Sequence, residues 1–146
     1  MKKINKKKII IVGASGFIGR HLLDKLNKVN KHEVIGTYFN NYQKNLMNYN
    51  HRNEKSTEKL FSEEKPDIII WCSGLKNLSE TETSNSKALK ENFYPIKFLY
   101  NYLKNFSKTK FIYISTDYVF SGDKGNYKFD DKPSPNTNYG KSKLEA

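Results

Sequence analysis

Ile9-Ile10-Ile11-Val12-Gly13-Ala14-Ser15-Gly16-Phe17-Ile18-Gly19 is the stretch from which the fold can be read. Four consecutive β-branched residues behind Lys8 make a short strand with no polar side to turn toward water. Strands buried on both faces of a parallel sheet read this way. Three glycines in a G-x-x-G-x-x-G spacing then lead into a segment of helical character, Phe17 to Lys28. In such a turn the first glycine permits the tight reversal, the second lets backbone approach a pyrophosphate, and the third lets helix and strand pack closely. The helix N-terminus adds unpaired N–H groups and a partial positive charge. The spacing alone also fits an ordinary tight β-α turn. Its place after a strand and before a helix selects a dinucleotide pyrophosphate site, with Gly13, Ser15, Gly16, Phe17, Ile18 and Gly19 as its residues.

Working outward, three further apolar runs follow: Glu33 to Phe39, Asp67 to Cys72 and Lys110 to Ser115. Helical segments separate them, roughly Glu54 to Glu64 before the third run and Ser84 to Asn105 before the fourth. Strand and helix alternate throughout, which predicts an α/β fold, a Rossmann-type doubly wound parallel sheet with strand order 3-2-1-4. No repeat and no linker interrupts residues 1–146, so they read as one dinucleotide-binding domain. The stretch Ser121 to Asn138, with its glycines, acids and prolines, is the longest loop candidate. It lies between two chemically suggestive motifs, so it is expected to be an active-site loop.

Composition narrows the class. The 146 residues are 36% hydrophobic, enough for a packed core, and carry a formal net charge of +11. The lysines are scattered among asparagines rather than gathered in a stripe, so solvated faces are expected and no nucleic-acid partner. The apolar run behind the basic Met1–Lys8 segment is too short for a signal-peptide core or a membrane span, so no membrane partner is expected. The lone Cys72 permits no disulfide within the chain, which suits a reducing, cytoplasmic setting, and it reads as a small core thiol. His21, His32 and His51 lack metal-ligand spacing, so they are expected to be solvated, with no metal site.

Chemistry gathers toward the other end. Tyr139 and Lys143 are four residues apart, so on a helix they share one face. A phenol titrates near ~10, and a neighbouring ammonium lowers that value, which brings proton exchange closer to neutral pH. Tyr139 is therefore a candidate general acid toward a carbonyl oxygen. A bare Y-x-x-x-K match also fits a solvated pair in a chain this rich in Tyr and Lys. Ser115-Thr116 strengthens it, because the pair falls at the C-terminal end of the fourth predicted strand, where open α/β sheets place ligands. The hydroxyl of Thr116, or failing that of Ser115, would hydrogen-bond the same oxygen.

Together these motifs resemble the extended short-chain dehydrogenase/reductases. The strings Ser115-Thr116-Asp117-Tyr118-Val119-Phe120-Ser121-Gly122 and Pro135-Asn136-Thr137-Asn138-Tyr139-Gly140-Lys141-Ser142-Lys143-Leu144-Glu145 are similar to the dTDP-4-dehydrorhamnose reductase group. The resemblance implies reduction of the 4-keto group of a nucleotide-sugar substrate. Tyr118 stands where the related 4,6-dehydratases usually have glutamate, which favours simple carbonyl reduction. In the family, Lys143 would also bind the nicotinamide ribose, Cys72-Ser73-Gly74 would pass under the cofactor, and Asn92 would support the active-site backbone. Ser115, Tyr139 and Lys143 join them as cofactor contacts; for Asn92 an exposed helix position is the alternative. Family members commonly hold the adenosine ribose with an acid at the end of the second strand. Here Thr37, Tyr38, Phe39, Asn40 and Asn41 offer no carboxylate, so the cofactor is NADP or NAD with NADP favoured, and Arg20, Lys44 and Arg52 are possible phosphate partners. Asn50 is the nearest counterpart of the family's adenine-contacting acid, and an amide can accept from the adenine amino group.

The resemblance covers the chain but only the N-terminal half of the family's length. The sheet is accordingly expected to be truncated after its fourth strand, with the C-terminal substrate domain absent and the chain inactive alone. That leaves open a separately encoded C-terminal half and an oligomer. Two alternatives stand beside the reductase: a non-catalytic regulatory subunit resembling that of methionine adenosyltransferase, and another nucleotide-sugar epimerase or reductase.

Overall fold

A computed structural model describes residues 5–104 and 108–146. The apolar runs form one parallel sheet of five strands, β1 (Lys8–Val12), β2 (Glu33–Tyr38), β3 (Met47–Asn48), β4 (Ile68–Trp71) and β5 (Lys110–Tyr113), in the order β3-β2-β1-β4-β5. β1 is central because it has no polar side: Ile10 pairs with Ile35 on one flank and with Ile69 on the other. Ile10 and Ile69 are fully buried, and each such side chain stabilises the fold by about 1.5–3 kcal/mol. Helix α1 (Phe17–Val29) lays Leu22, Leu23 and Leu26 against Ile9, Ile11 and Ala14, with Cys72 partly buried in the same cluster.

The doubly wound parallel sheet is as the sequence predicts, with one more strand. Met47–Asn48 pairs with Thr37–Tyr38 at the far edge, so the run 67–72, read as third, is β4 and lies beside β1. The expected order 3-2-1-4 over the four runs, ending at the fourth, is thereby corrected: 67–72 lies beside β1 instead of at the edge beside β2, 110–113 pairs with it instead of with β1, and the sheet has five strands. A strand so short and exposed on both residues leaves no apolar run to detect.

By its internal contacts the chain divides into two compact units, Met1–Ser73 with Leu99–Ile114, and Gly74–Phe98 with Ser115–Ala146. The first holds the whole sheet, α1 and α2 (Glu54–Glu64), whose N-cap Asn53 accepts from the Ser56 N–H at 2.9 Å. The second holds α3 (Leu78–Glu82), α4 (Asn85–Asn92), a 3-10 turn at Asp117–Val119 and α6 (Asn138–Glu145). The single helix predicted over 84–105 is two: α4 ends at Asn92 and α5 (Tyr94–Leu103) begins after Phe93. Pro95 is the reason, since it has no N–H to give the Glu91 carbonyl and so breaks the ladder there. The last position of that prediction, 105, lies outside the described residues.

Candidate functional site

The glycine turn belongs to the first unit. Gly13 has φ +82°, and a Cβ there would stand 2.9 Å from the Ser73 nitrogen, so only glycine fits between β1 and the end of β4. Gly19 is buried in α1, and a Cβ on it would run into the Gly13 carbonyl. The turn is pinned by Thr37: its carbonyl accepts from Ala14 N–H at 2.8 Å, and its hydroxyl accepts from Gly13 N–H at 3.3 Å while lying 3.4 Å from the Ile11 carbonyl it donates to. Thr37 is buried and committed to the turn, which removes it from the set of ribose partners at the end of β2.

What the turn can hold follows from its helix. Helices α2, α3, α4 and α6 each begin with a side chain that accepts a first-turn N–H, whereas α1 begins at Gly16 with none. An uncapped N-terminus behind a glycine cradle suits a phosphate, which supplies the missing acceptors. Phe17 and Ile18 stand exposed on that first turn, at 69% and 50%. The Ser15 carbonyl accepts from the Gln43 side-chain amide at 3.4 Å.

Beyond β2, the Arg52 guanidinium lies 4.9 Å from the Phe39 ring centroid, and the Asn50 side-chain oxygen accepts from the Arg52 N–H. Arg20 and Lys44 are exposed. His51, expected to be solvated, is buried instead, with its ring against Phe39, Tyr49 and Trp71. Desolvation, reinforced by the Arg52 charge, lowers its pKa from the ordinary 6.5 to about 4, so the imidazole is neutral. Its Nδ1 is 3.5 Å from the Ser73 hydroxyl, and the Ser73 carbonyl accepts from the Trp71 indole at 2.9 Å. His21 is exposed and His32 half-buried. Among the described residues no group of His, Cys, Asp and Glu is arranged for a metal.

In the second unit, α6 carries the other candidates. Tyr139 is half-buried and Lys143 is buried, at 8% exposure. The 3-10 turn supplies Thr116, whose hydroxyl accepts from Tyr118 N–H and donates to Asp117, while the Tyr118 ring meets Tyr139 edge-on at 5.6 Å. Gly140 lets α6 lie against this turn: a Cβ there would collide with the Tyr118 carbonyl. The Tyr139 phenol departs from the sequence expectation. Burial raises its pKa above 10, with Asp117 and Tyr118 adding to the rise and a hydrogen bond with Thr116 opposing it. The spacing to Lys143 predicts a lowered value, and burial of the ring dominates instead.

Asn92 is buried, not an exposed helix position. Its Oδ1 accepts from Leu75 N–H at 2.7 Å, and its Nδ2 donates to the Leu75 carbonyl at 3.1 Å and to the Ser142 hydroxyl at 2.9 Å. Ser142 in turn donates to the Tyr139 carbonyl at 2.7 Å, so Asn92 reaches the backbone of α6 through one hydroxyl. Gly74 lies here as well, with a Cβ position 2.7 Å from the Asn92 Oδ1. Ser115 is exposed. The loop before α6 contains no helix or strand; Phe120 stacks on Tyr127 at 4.5 Å and Lys124 pairs with Asp131. Nothing in the sequence singles out Ser142, because a serine between two lysines carries no signal of its own.

The chain is similar to known proteins along most of its length. The RmlD substrate binding domain model matches residues 7–146. The beta subunit of methionine adenosyltransferase 2 from Danio rerio is 29% identical over 140 residues, covering 96% of this chain and 42% of that protein. Among solved structures, a hypothetical dTDP-4-dehydrorhamnose reductase from Sulfolobus tokodaii superposes with a TM-score of 0.87 at 33% identity, covering 94% of this chain and 50% of its own. The dTDP-4-dehydrorhamnose reductase of Bacillus anthracis str. Ames, solved in complex with NADP, gives 0.82 at 28% identity, covering 97% of this chain and 48% of its own. The chain thus spans about half the length of the relatives it matches.

Proposed function

The chain belongs to the RmlD substrate binding domain family, and on that premise we propose that it carries the cofactor-binding and proton-donating parts of a nucleotide-sugar 4-keto reductase. A bound NADPH or NADH supplies hydride to the carbonyl carbon. Tyr139 gives its phenolic proton to the carbonyl oxygen, so that C=O becomes an alcohol, and Thr116 donates a hydrogen bond to that oxygen. Lys143 binds the nicotinamide ribose. Gly13, Gly16 and the first turn of α1 take the pyrophosphate, with Cys72, Ser73 and Gly74 along the cofactor. NADP is preferred over NAD because no carboxylate follows β2 to repel a 2′-phosphate.

The observation that carries this reading is α6 itself, on which the half-buried Tyr139 and the buried Lys143 sit one turn apart, with the turn that holds Thr116 packed against Tyr139 through the Tyr118 ring. With its pKa raised, the phenol carries its proton at neutral pH, as a proton donor must before hydride arrives. The test is NADPH oxidation by the native gene product with dTDP-4-dehydrorhamnose. Tyr139→Phe should lower turnover by roughly 10²- to 10⁴-fold and leave cofactor affinity intact. Absence of turnover in the unsubstituted protein would refute the reading.

A second reading is favoured by the likeness to the methionine adenosyltransferase beta subunit. There the chain would bind a dinucleotide and act on a partner enzyme without chemistry of its own. Under that reading Tyr139→Phe changes nothing in the assembled complex.

A further inference from the structure

The first turn of helix α6 (Asn138–Glu145) presents backbone N–H groups that no carbonyl of the helix itself can reach. That turn must therefore be held from outside. Three N–H groups there lack an intrahelical acceptor: those of Asn138, Tyr139 and Gly140. Gly140 N–H is taken by the N-cap Thr137 hydroxyl at 2.9 Å. The other two go to one oxygen of Glu82, the last residue of α3: Asn138 N–H at 2.8 Å and Tyr139 N–H at 3.4 Å. The Asn138 amide returns the contact, donating to the Thr81 carbonyl at 3.2 Å and the Glu82 carbonyl at 3.5 Å at the C-terminal end of α3. The two helix ends cap each other, as a capping box does within one helix. The Glu82 charge also lies at the positive end of the α6 dipole.

From this geometry we propose that Glu82 is a positioning residue that fixes Tyr139 by holding the backbone of the tyrosine and of its N-terminal neighbour. Its consequence for turnover rests on the reductase reading above; its structural consequence does not. Loss of the carboxylate frees the first turn of α6, and a displacement of the phenol by about 1 Å is enough to cost two orders of magnitude in rate. Glutamine keeps an acceptor oxygen at the same position and preserves the two bonds.

The experiment compares Glu82→Ala and Glu82→Gln in the native gene product with two readouts. Amide hydrogen exchange over 137–145, followed by mass spectrometry, should rise about fivefold to tenfold in Glu82→Ala, the size of effect a lost cap produces, and stay near the unsubstituted rate in Glu82→Gln. In the NADPH oxidation assay, Glu82→Ala should lower kcat by roughly 10- to 100-fold with cofactor KM unchanged, and Glu82→Gln should restore it. Unchanged exchange in Glu82→Ala overturns the proposal. So does raised exchange with normal kcat, or a glutamine variant as impaired as alanine. If the unsubstituted protein shows no turnover, the reductase reading falls, and the exchange measurement alone decides whether Glu82 holds Tyr139.

Discussion

Lowering the pH should destabilise this protein through one buried histidine. His51 is 7% exposed, and its pKa falls from the ordinary 6.5 to about 4 because burial among Phe39, Tyr49 and Trp71 penalises the charged ring and Arg52 repels it. The unfolded chain binds a proton on this ring below pH 6.5, while the folded protein refuses it until about pH 4. Stability from keeping the ring neutral is thus fully present above pH 6.5 and is lost as pH falls toward 4. The whole shift corresponds to about 3 kcal/mol, of which about 2 kcal/mol is lost between pH 7.5 and 5.0. Urea unfolding at those two pH values, on the unsubstituted protein and on His51→Leu, isolates the effect, because His21, His32 and the carboxylates contribute equally to both. The variant should lose about 2 kcal/mol less over the interval, whatever its absolute stability; His51→Gln serves if leucine packs poorly. Equal losses in the two proteins would refute the assignment of a neutral, buried imidazole.

Two further changes test other joints of the structure. Asn92→Leu leaves the Leu75 N–H and carbonyl without their protein partner and removes the link to Ser142, which should cost about 2–4 kcal/mol in urea unfolding; a loss below ~0.5 kcal/mol would show that water replaces the side chain. Gly19→Ala forces a methyl group against the Gly13 carbonyl and within 2.8 Å of the Ala14 Cα, pushing α1 off the turn. Its NADPH dissociation constant should rise more than about tenfold, with a stability loss of roughly 1–3 kcal/mol, and unchanged affinity would separate the glycine turn from the cofactor.

Much of this was legible in the residues themselves because the relevant physics is local. Ile9 to Val12 can only be a doubly buried strand, the three glycines mark a turn that side chains would obstruct, and a four-residue spacing places Tyr139 and Lys143 on one helical face. None of these inferences needs a distant partner. The two-residue strand Met47–Asn48 has no signature in the sequence because its pairing with β2, not its composition, makes it a strand. The division at Phe93 was open to reading, since Pro95 lies in plain view, but the apolar pattern continues across it.

Tertiary structure decided what each side chain is free to do. Thr37 sits where a ribose contact is sought, yet its hydroxyl is committed to the Gly13 turn. His51 is a charged or neutral ring according to whether aromatic neighbours exclude water from it, and those neighbours come from the residue after β2, the β3–α2 segment and β4. The Tyr139 phenol rises rather than falls because burial acts on it together with Asp117 and Tyr118. Asn92, Ser142 and Glu82 acquire their tasks only when α3, α4 and α6 meet, across separations of about 50 residues in the chain. A sequence specifies the periodicity of its helices and strands directly, but hydrogen bonding and desolvation depend on which remote groups the fold delivers.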